Sequence, residues 1–359
     1  MGKVGIIGVG QSNFVRSYPG SIKELAFDAY REAALDCGIE PGRIDASIVC
    51  SAPEYDKQRS PAGVIAEYLG LNPQPTFYVE TLCSSSSTGL KLAYSLVESG
   101  LHDCVAVIGV QKMSEISSAE SQERMGRGTD IQWESPFGTM MPAYYALYAR
   151  AHMDKYGTTG EDLALIRLKS SAYGILNDRA VFRKELTMEK LTDPESKMAS
   201  AVSSPLRVGD CCANADGSSC IIVANEKTAK QMSDKPVWIL GVGSATNSVN
   251  MGERDIFTGL TAAKTAAQQA YQMAGIKATD VDVAEVHDCF TIAELMAYEN
   301  LGFAEPGQGV ELIRNKETYK EGRIPVNIDG GLLSKGHPIG ATGGSQVRTV
   351  VQQLRGEAG

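Results

Sequence analysis

Three short segments carry residues whose types and spacing suit covalent acyl chemistry. The first is Val79-Glu-Thr-Leu-Cys83-Ser-Ser-Ser-Ser-Thr-Gly89, followed by a helical pattern with apolar Leu90, Ala93, Leu96 and Val97. An extended stretch therefore delivers a cysteine to or near a helix N-terminus. Unpaired backbone N–H groups there favour the thiolate, so the placement predicts a nucleophile with a lowered pKa. The second is Val286-His287-Asp288-Cys289-Phe290-Thr291. A His and a Cys two apart on an extended segment point to the same side, where one can hydrogen-bond while the other moves a proton. The third runs from Asn327 to Gly344 and sets His337 and Pro338 among six glycines. Glycines in that number let backbone approach a ligand closely, and a helix of Val347, Val350, Val351 and Leu354 follows.

The remaining titratable residues exclude other chemistries. Eight cysteines and four histidines form no C-x-x-C pair, so a structural zinc site is not expected. The net charge of −9 argues against a nucleic-acid binder. No run of apolar residues approaches membrane-spanning length, and the N-terminus lacks a signal-peptide layout. Free thiols then point to a reducing, cytoplasmic setting. A composition of 43% hydrophobic and 21% charged residues suits an ordinary globular chain.

An internal repeat supplies the elements that must position these segments. Val4-Gly-Ile-Ile-Gly8-Val-Gly10 and Val237-Trp-Ile-Leu240-Gly-Val-Gly243 have the same form. Amphipathic helices follow each, at Ile22–Cys37 and Leu260–Ala274, and both end at a glycine cap, Gly38 and Gly275. Apolar strands come next, Ile44–Val49 and Val281–Val286, with Asp45 matching Asp282. Strand, helix and strand at this spacing make a βαβ unit. The expected fold class is α/β: two duplicated βαβ-rich halves packed together, with an inserted loop domain and the strand ends facing a shared cleft. Residues 1–110 form the first half and 236–359 the second. Residues 111–235 are the insertion, with helices at Ala143–Lys155 and Asp162–Leu176 and a return to the first half near 205–225. In the first half the helix Cys83–Gly100 leads into strand Cys104–Ile108. The matching helix His337–Gly359 leaves that strand without a counterpart, so a C-terminal strand is expected to be missing.

Asn327 to Gly344 resembles the thiolase signature G-G-x-x-x-x-G-H-P-x-G-A-T-G. His287-Asp-Cys289-Phe resembles the H-D-C-F motif of the sterol-carrier-type and archaeal thiolases, where other thiolases have N-E-A-F. Cys83 stands where that family has its nucleophile, and Asn214-Ala-Asp-Gly217 resembles the x-x-D-G turn near the pantetheine arm, with Cys212 at its approach. The likeness spans essentially the whole chain. It implies the thiolase fold and an acyltransferase of the acetyl-CoA acetyltransferase or 3-ketoacyl-CoA thiolase type. In that reading His337 activates Cys83, which carries the acyl group. Cys289 exchanges the α-proton of a second acetyl-CoA, while His287 and His337 donate to the thioester oxygen. Cys212, Ser86, Gly340 and Gly343 are the expected substrate-binding positions. The family pattern Cys-Ala-Ser-Gly is Cys83-Ser-Ser-Ser86 here, and Ser86 is expected to narrow the acyl pocket or tighten it by hydrogen bonding, which leaves chain-length preference open. No cofactor is expected beyond coenzyme A thioesters as substrates. Arg183 and Lys184, or Arg124 and Arg127, are candidates for meeting CoA phosphates. The resemblance further implies a homodimer or homotetramer, and association with a hydroxymethylglutaryl-CoA synthase through a zinc-ribbon/OB-fold protein. Competing readings are a β-ketoacyl synthase-like enzyme, which lacks a second catalytic cysteine, a Cys–His acyl hydrolase, and a catalytically impaired acyl-CoA-binding scaffold.

Overall fold

A computed structural model describes residues 2–138, 140–254 and 256–359. In chain order its elements are β1 (Val4–Gln11), α1 (Ile22–Cys37), β2 (Ala46–Cys50), α2 (Pro61–Tyr68), β3 (Thr76–Val79), α3 (Ser85–Glu98) and β4 (Cys104–Gln111). There follow α4 (Ser118–Gly126), α5 (Met141–Tyr156), α6 (Gly160–Gly174), α7 (Met188–Thr192), β5 (Ala201–Ser203), β6 (Leu206–Arg207) and β7 (Gly217–Asn225). The chain continues through α8 (Glu226–Met232), β8 (Val237–Trp238), α9 (Thr261–Ala274), α10 (Thr291–Asn300), α11 (Gly309–Arg314), α12 (Gly331–Lys335) and α13 (Thr342–Arg355). Among the described residues no helix is long and apolar enough to cross a membrane.

The chain divides into two compact units, one of Met1–Ser117, Asn214–Leu240 and His337–Gly359, the other of Ser118–Ala213 and Gly241–Gly336. This grouping departs from the linear division at 111, 235 and 236. Segment His337–Gly359 joins the first unit because Val347 and Val351 of α13 pack into the same apolar cluster as Ile6, Ile48, Val107 and Val223.

The first unit is built on a sheet in the order β3-β2-β4-β7-β1-β8. β2 runs parallel to β3 and β4, whereas β7 is antiparallel to β4 and β1. The sheet is thus mixed, because β7 re-enters the unit between β1 and β4 against the direction of both. Every residue of β1 and β4 is buried, as central strands covered on both faces require. Ile7, Ile108 and Ile222 face α1, whose Leu25, Ala29 and Ala33 meet them. Ile6, Val107, Ile221 and Val223 face the other way, toward Ala93 and Val97 of α3 and Val351 of α13. A register shift between Ile6 and Gly8 returns Val9 to the face of Val4 and Ile6. α1 begins with a capping box between Ser21 and Glu24 and ends at Gly38 with φ 65°.

The second unit has a largely helical core of Leu163, Ile166, Phe290, Leu295, Tyr298, Leu312 and Leu332. α9 ends at Gly275 with φ 70°, the same left-handed cap as α1. The repeat is visible in packing as well. A side chain at Gly8 or Gly10 would strike the carbonyls of Ala33 and Ala29 on α1, and one at Gly241 or Gly243 those of Ala270 and Ala266 on α9. In both places an extended segment lies against a helix so closely that only glycine fits two residues apart. The expected strand Val281–Val286 is different: among the described residues it makes a single bridge, Ala284 to Val326. With only this neighbour it is extended chain held at a few points, not part of a ladder.

Candidate active site

In the first unit the nucleophile candidate and the histidine of the glycine-rich motif come together. β3 ends at Val79, and the chain turns through Leu82, a non-glycine residue with φ 49°. Left-handed backbone at leucine is disfavoured, and such positions concentrate at functional turns. The turn is tied by Leu82 N–H to Glu80 Oε1 at 2.6 Å, Thr81 N–H to Ser85 Oγ at 2.9 Å and Ser85 Oγ–H to the Leu82 carbonyl at 2.6 Å. It leaves Cys83 in a 3₁₀ turn just before α3.

Cys83 Sγ lies 3.1 Å from His337 Nε2. His337 is buried, and its Nδ1 lies 2.7 Å from Thr342 Oγ1. The Thr342 hydroxyl gives its one proton to the Pro338 carbonyl at 3.0 Å. Its oxygen therefore accepts from Nδ1–H, which fixes the neutral imidazole with its Nε2 lone pair toward the thiol. Burial pushes the Cys83 thiol up to about 12, with its own backbone N–H working the other way and Glu80 adding to the rise. The expected lowering by the helix N-terminus is thus overturned by desolvation. Cys83 therefore rests as a thiol, and in this tautomer it donates to Nε2, to which its proton passes as the thiolate forms.

The other first-unit candidates are structural neighbours of this pair. Ser86 is fully buried, and its hydroxyl accepts the Gly344 N–H at 2.9 Å, fastening α3 to α13. Gly343 lies directly against Ser87 of α3. Gly340 abuts the carbonyls of Cys50 and Val110 at the ends of β2 and β4, and its N–H donates to Gln111 Oε1 at 3.2 Å. Asp216, of the Asn214–Gly217 turn, accepts from the Met113, Ser114 and Tyr18 N–H groups and from the Ser114 hydroxyl, at 2.6–2.9 Å.

In the second unit, His287 and Cys289 sit on a segment held at three points. The Val286 N–H donates to Asn327 Oδ1 at 2.8 Å, the Asp288 carboxylate accepts from Leu332 and Leu333 N–H, and the Cys289 carbonyl accepts from Cys212 N–H at 3.0 Å. Cys211 bridges Phe290 in the same antiparallel pairing, which sets the half-buried Cys212 across from Cys289. Phe290 stacks on Tyr145 with ring centroids 4.6 Å apart. Burial lowers the His287 pKa to about 4, so its imidazole is neutral at physiological pH and offers one N–H donor. Of the basic residues proposed for phosphates, Arg127 is paired with Glu123 at 2.8 Å, while Arg183 and Lys184 are exposed. Thr342 and Asn327 escaped the sequence reading although both lie in the glycine-rich motif; the signal was a hydroxyl five residues after the histidine and a polar side chain opening the motif.

Comparison with known proteins agrees with this architecture along the chain. Residues 5–227 match the family model described as thiolase, N-terminal domain, and residues 243–359 the one described as thiolase C-terminal domain-like. The acetyl-CoA acetyltransferase of Methanothermobacter thermautotrophicus is 36% identical, over 100% of this chain and 92% of that protein. Human sterol carrier protein 2 is 31% identical over 99% of this chain and 67% of its own length. Among solved structures, the Ltp2-ChsH2(DUF35) aldolase superposes with a TM-score of 0.85 at 24% identity, covering 99% of this chain and 91% of that one. Human mitochondrial 3-ketoacyl-CoA thiolase in complex with CoA gives 0.74 at 18% identity, covering 100% and 93%.

Proposed function

The chain belongs to the thiolase family and is an acyltransferase, and on that premise we propose that it moves acyl groups between CoA thioesters through an acyl-enzyme on Cys83. The observation that carries this reading is the 3.1 Å contact of Cys83 Sγ with a His337 whose tautomer Thr342 fixes. As Sγ attacks the thioester carbonyl, its proton passes to His337 Nε2. Collapse of the tetrahedral adduct expels the CoA thiolate, which takes that proton and leaves the acyl group on sulfur. In the synthetic direction the Cys289 sulfur, its own proton released to solvent, removes an α-proton from a second acetyl-CoA; the carbanion attacks the acyl-cysteine to give acetoacetyl-CoA, and the proton taken up by Cys289 passes to the departing Cys83 thiolate. In cleavage of a 3-ketoacyl-CoA the Cys289 thiol returns the proton. The neutral His287 donates to the thioester oxygen as it becomes an enolate, with His337 as the second donor. Cys212, across from Cys289, lines the substrate approach. Coenzyme A enters only as substrate, and no resident cofactor is needed for these steps.

The edge position of β3, with Phe77 and Tyr78 each about two-fifths exposed, supports a homo-oligomer closed through that edge. A dimer or tetramer by light scattering, abolished by charged residues at 77 and 78, tests it. The proposed assembly with a hydroxymethylglutaryl-CoA synthase and a small bridging protein takes support from the two-component name of the Ltp2-ChsH2(DUF35) aldolase. The free cysteines suit the reducing cytoplasm.

Incubation with acetyl-CoA should add one acetyl group to Cys83, visible by mass and blocked by prior iodoacetamide. The protein should cleave acetoacetyl-CoA in the presence of CoA, with longer 3-ketoacyl-CoAs alongside to define chain length, and C83A should lose all turnover. Substrate binding without an adduct would instead mark the chain as a scaffold.

A further inference from the structure

We infer that Asp288 is the positioning residue that fixes His287 and Cys289, by tying the segment between them to the first turn of α12. The inference rests on the proposed function, since it takes Cys289 to be the group that moves the α-proton.

Asp288 is fully buried, with Oδ1 accepting the Leu332 N–H at 2.8 Å and Oδ2 the Leu333 N–H at 3.3 Å. Burial, with Glu294 nearby, pushes the Asp288 carboxyl up to about 7, and the two main-chain donors at the start of α12 work the other way. Space is made for the carboxylate by Gly331, which has φ 57° and where an added Cβ would collide with it. Residue 331 is therefore glycine for two reasons at once, backbone conformation and the room Asp288 needs.

The platform that receives Asp288 is itself rigid. Ser170 on α6 donates to the Gly330 carbonyl at 2.6 Å and lies 2.8 Å from Ser334 Oγ. Arg167 donates to the Leu333 carbonyl, and the Phe182 and Val181 N–H groups bond the Ser334 and Lys335 carbonyls at 2.9 and 3.1 Å. Side chains alternate along an extended segment, so Asp288 points away from its neighbours 287 and 289. Anchoring it toward α12 sets both reactive side chains on the opposite side of the segment. The flanking contacts, Val286 N–H to Asn327 and Cys289 carbonyl to Cys212 N–H, hold the segment along its length. Asp288 adds the anchor on the opposite side of the segment, toward the start of α12. Without the carboxylate that anchor is lost, and a displacement near 1 Å at a reacting group costs about 10²-fold in rate.

The test uses the full chain and two readouts that separate the half-reactions. One is acetylation of Cys83 by acetyl-CoA, which depends on Cys83, His337 and Thr342. The other is uptake of deuterium from D₂O into the acetyl methyl group, which depends on Cys289. C289A should retain acetylation and lose uptake. D288A should acetylate Cys83 within about twofold of wild type while deuterium uptake falls about 10²-fold, with kcat for acetoacetyl-CoA cleavage falling far more than KM rises. D288N keeps the volume and one acceptor oxygen, so its uptake should fall about tenfold, and it decides the matter if D288A does not fold. Deuterium uptake at the wild-type rate in D288N or D288A overturns the inference. So does an equal loss of acetylation and uptake in D288N at unchanged melting temperature. A wild-type chain that never acetylates Cys83 overturns the functional reading, and the inference with it; one that acetylates but takes up no deuterium overturns the role given to Cys289.

Discussion

Replacing Thr342 by valine tests whether the tautomer of His337 is what makes Cys83 reactive. Valine matches threonine in volume, so α13 keeps its packing while the imidazole loses the acceptor for Nδ1–H. His337 is only 3% exposed, so water does not readily replace that acceptor. A buried N–H left without a partner costs about 1–3 kcal/mol. Neutral imidazole escapes this cost by moving its proton to Nε2, the nitrogen 3.1 Å from Cys83 Sγ. The tautomer able to accept the thiol proton then becomes minor by the same free energy. At about 1.36 kcal/mol per tenfold, acylation should slow by about 5- to 160-fold. The assay is a quenched time course of Cys83 acetylation by acetyl-CoA, read by intact mass, with the melting temperature as the control for folding. T342S restores a hydroxyl and should react within about threefold of wild type. If T342V acetylates at the wild-type rate while remaining folded, the hydroxyl does not set the tautomer and the reasoning fails.

Burial raises the thiols of Cys37 to about 11 and Cys104 to about 12, so the unfolded chain releases these protons first as pH rises. Their contribution to stability is complete below about pH 9 and is lost between there and pH 11–12; melting temperature should fall across that window, less steeply in a C37A/C104A double variant. His287 has the opposite sign. With its folded pKa lowered to about 4 from 6.5, the unfolded state binds the proton first, so stability should decline as pH falls from 6.5 toward 4, and H287N should flatten that limb. Lys169 bonds Glu294, the Tyr298 hydroxyl and the Val326 carbonyl inside the second unit. K169M leaves a buried carboxylate without its cation and should destabilise the chain by about 3–5 kcal/mol in urea titration. A loss under 1 kcal/mol would show that Glu294 is satisfied by its other partners.

Where the sequence states a local periodicity, the structure follows it. α1 and α5 run close to their expected limits, and the glycine pairs at 8/10 and 241/243 reveal the repeat because a missing side chain is the physical condition for strand and helix to touch. The reading of Val281–Val286 as a sheet strand erred because β propensity describes a segment and a ladder needs a neighbour as well. The grouping of α13 with the first unit was hidden for the same reason: Val347 and Val351 declare an apolar face without declaring its partner. At the site, residue types were legible and environments were not. Cys83 at a helix start reads as an acidic thiol, yet burial reverses the shift, and no local pattern reports how much water a turn excludes.

That reversal bears on how such a site can work. Desolvation raises the Cys83 thiol and lowers the His287 imidazolium, so Cys83 rests as a thiol and His287 as a neutral imidazole. Beside Cys83 the Glu80 carboxylate opposes ionisation of the thiol. Charge therefore appears only as the reaction proceeds, first on the sulfur as its proton leaves and then on the carbonyl oxygen it attacks. Under those conditions donors fixed in advance contribute most to the transition state and least to the ground state. This is the physical reason to expect that the tautomer of one histidine, set by one hydroxyl, decides the rate.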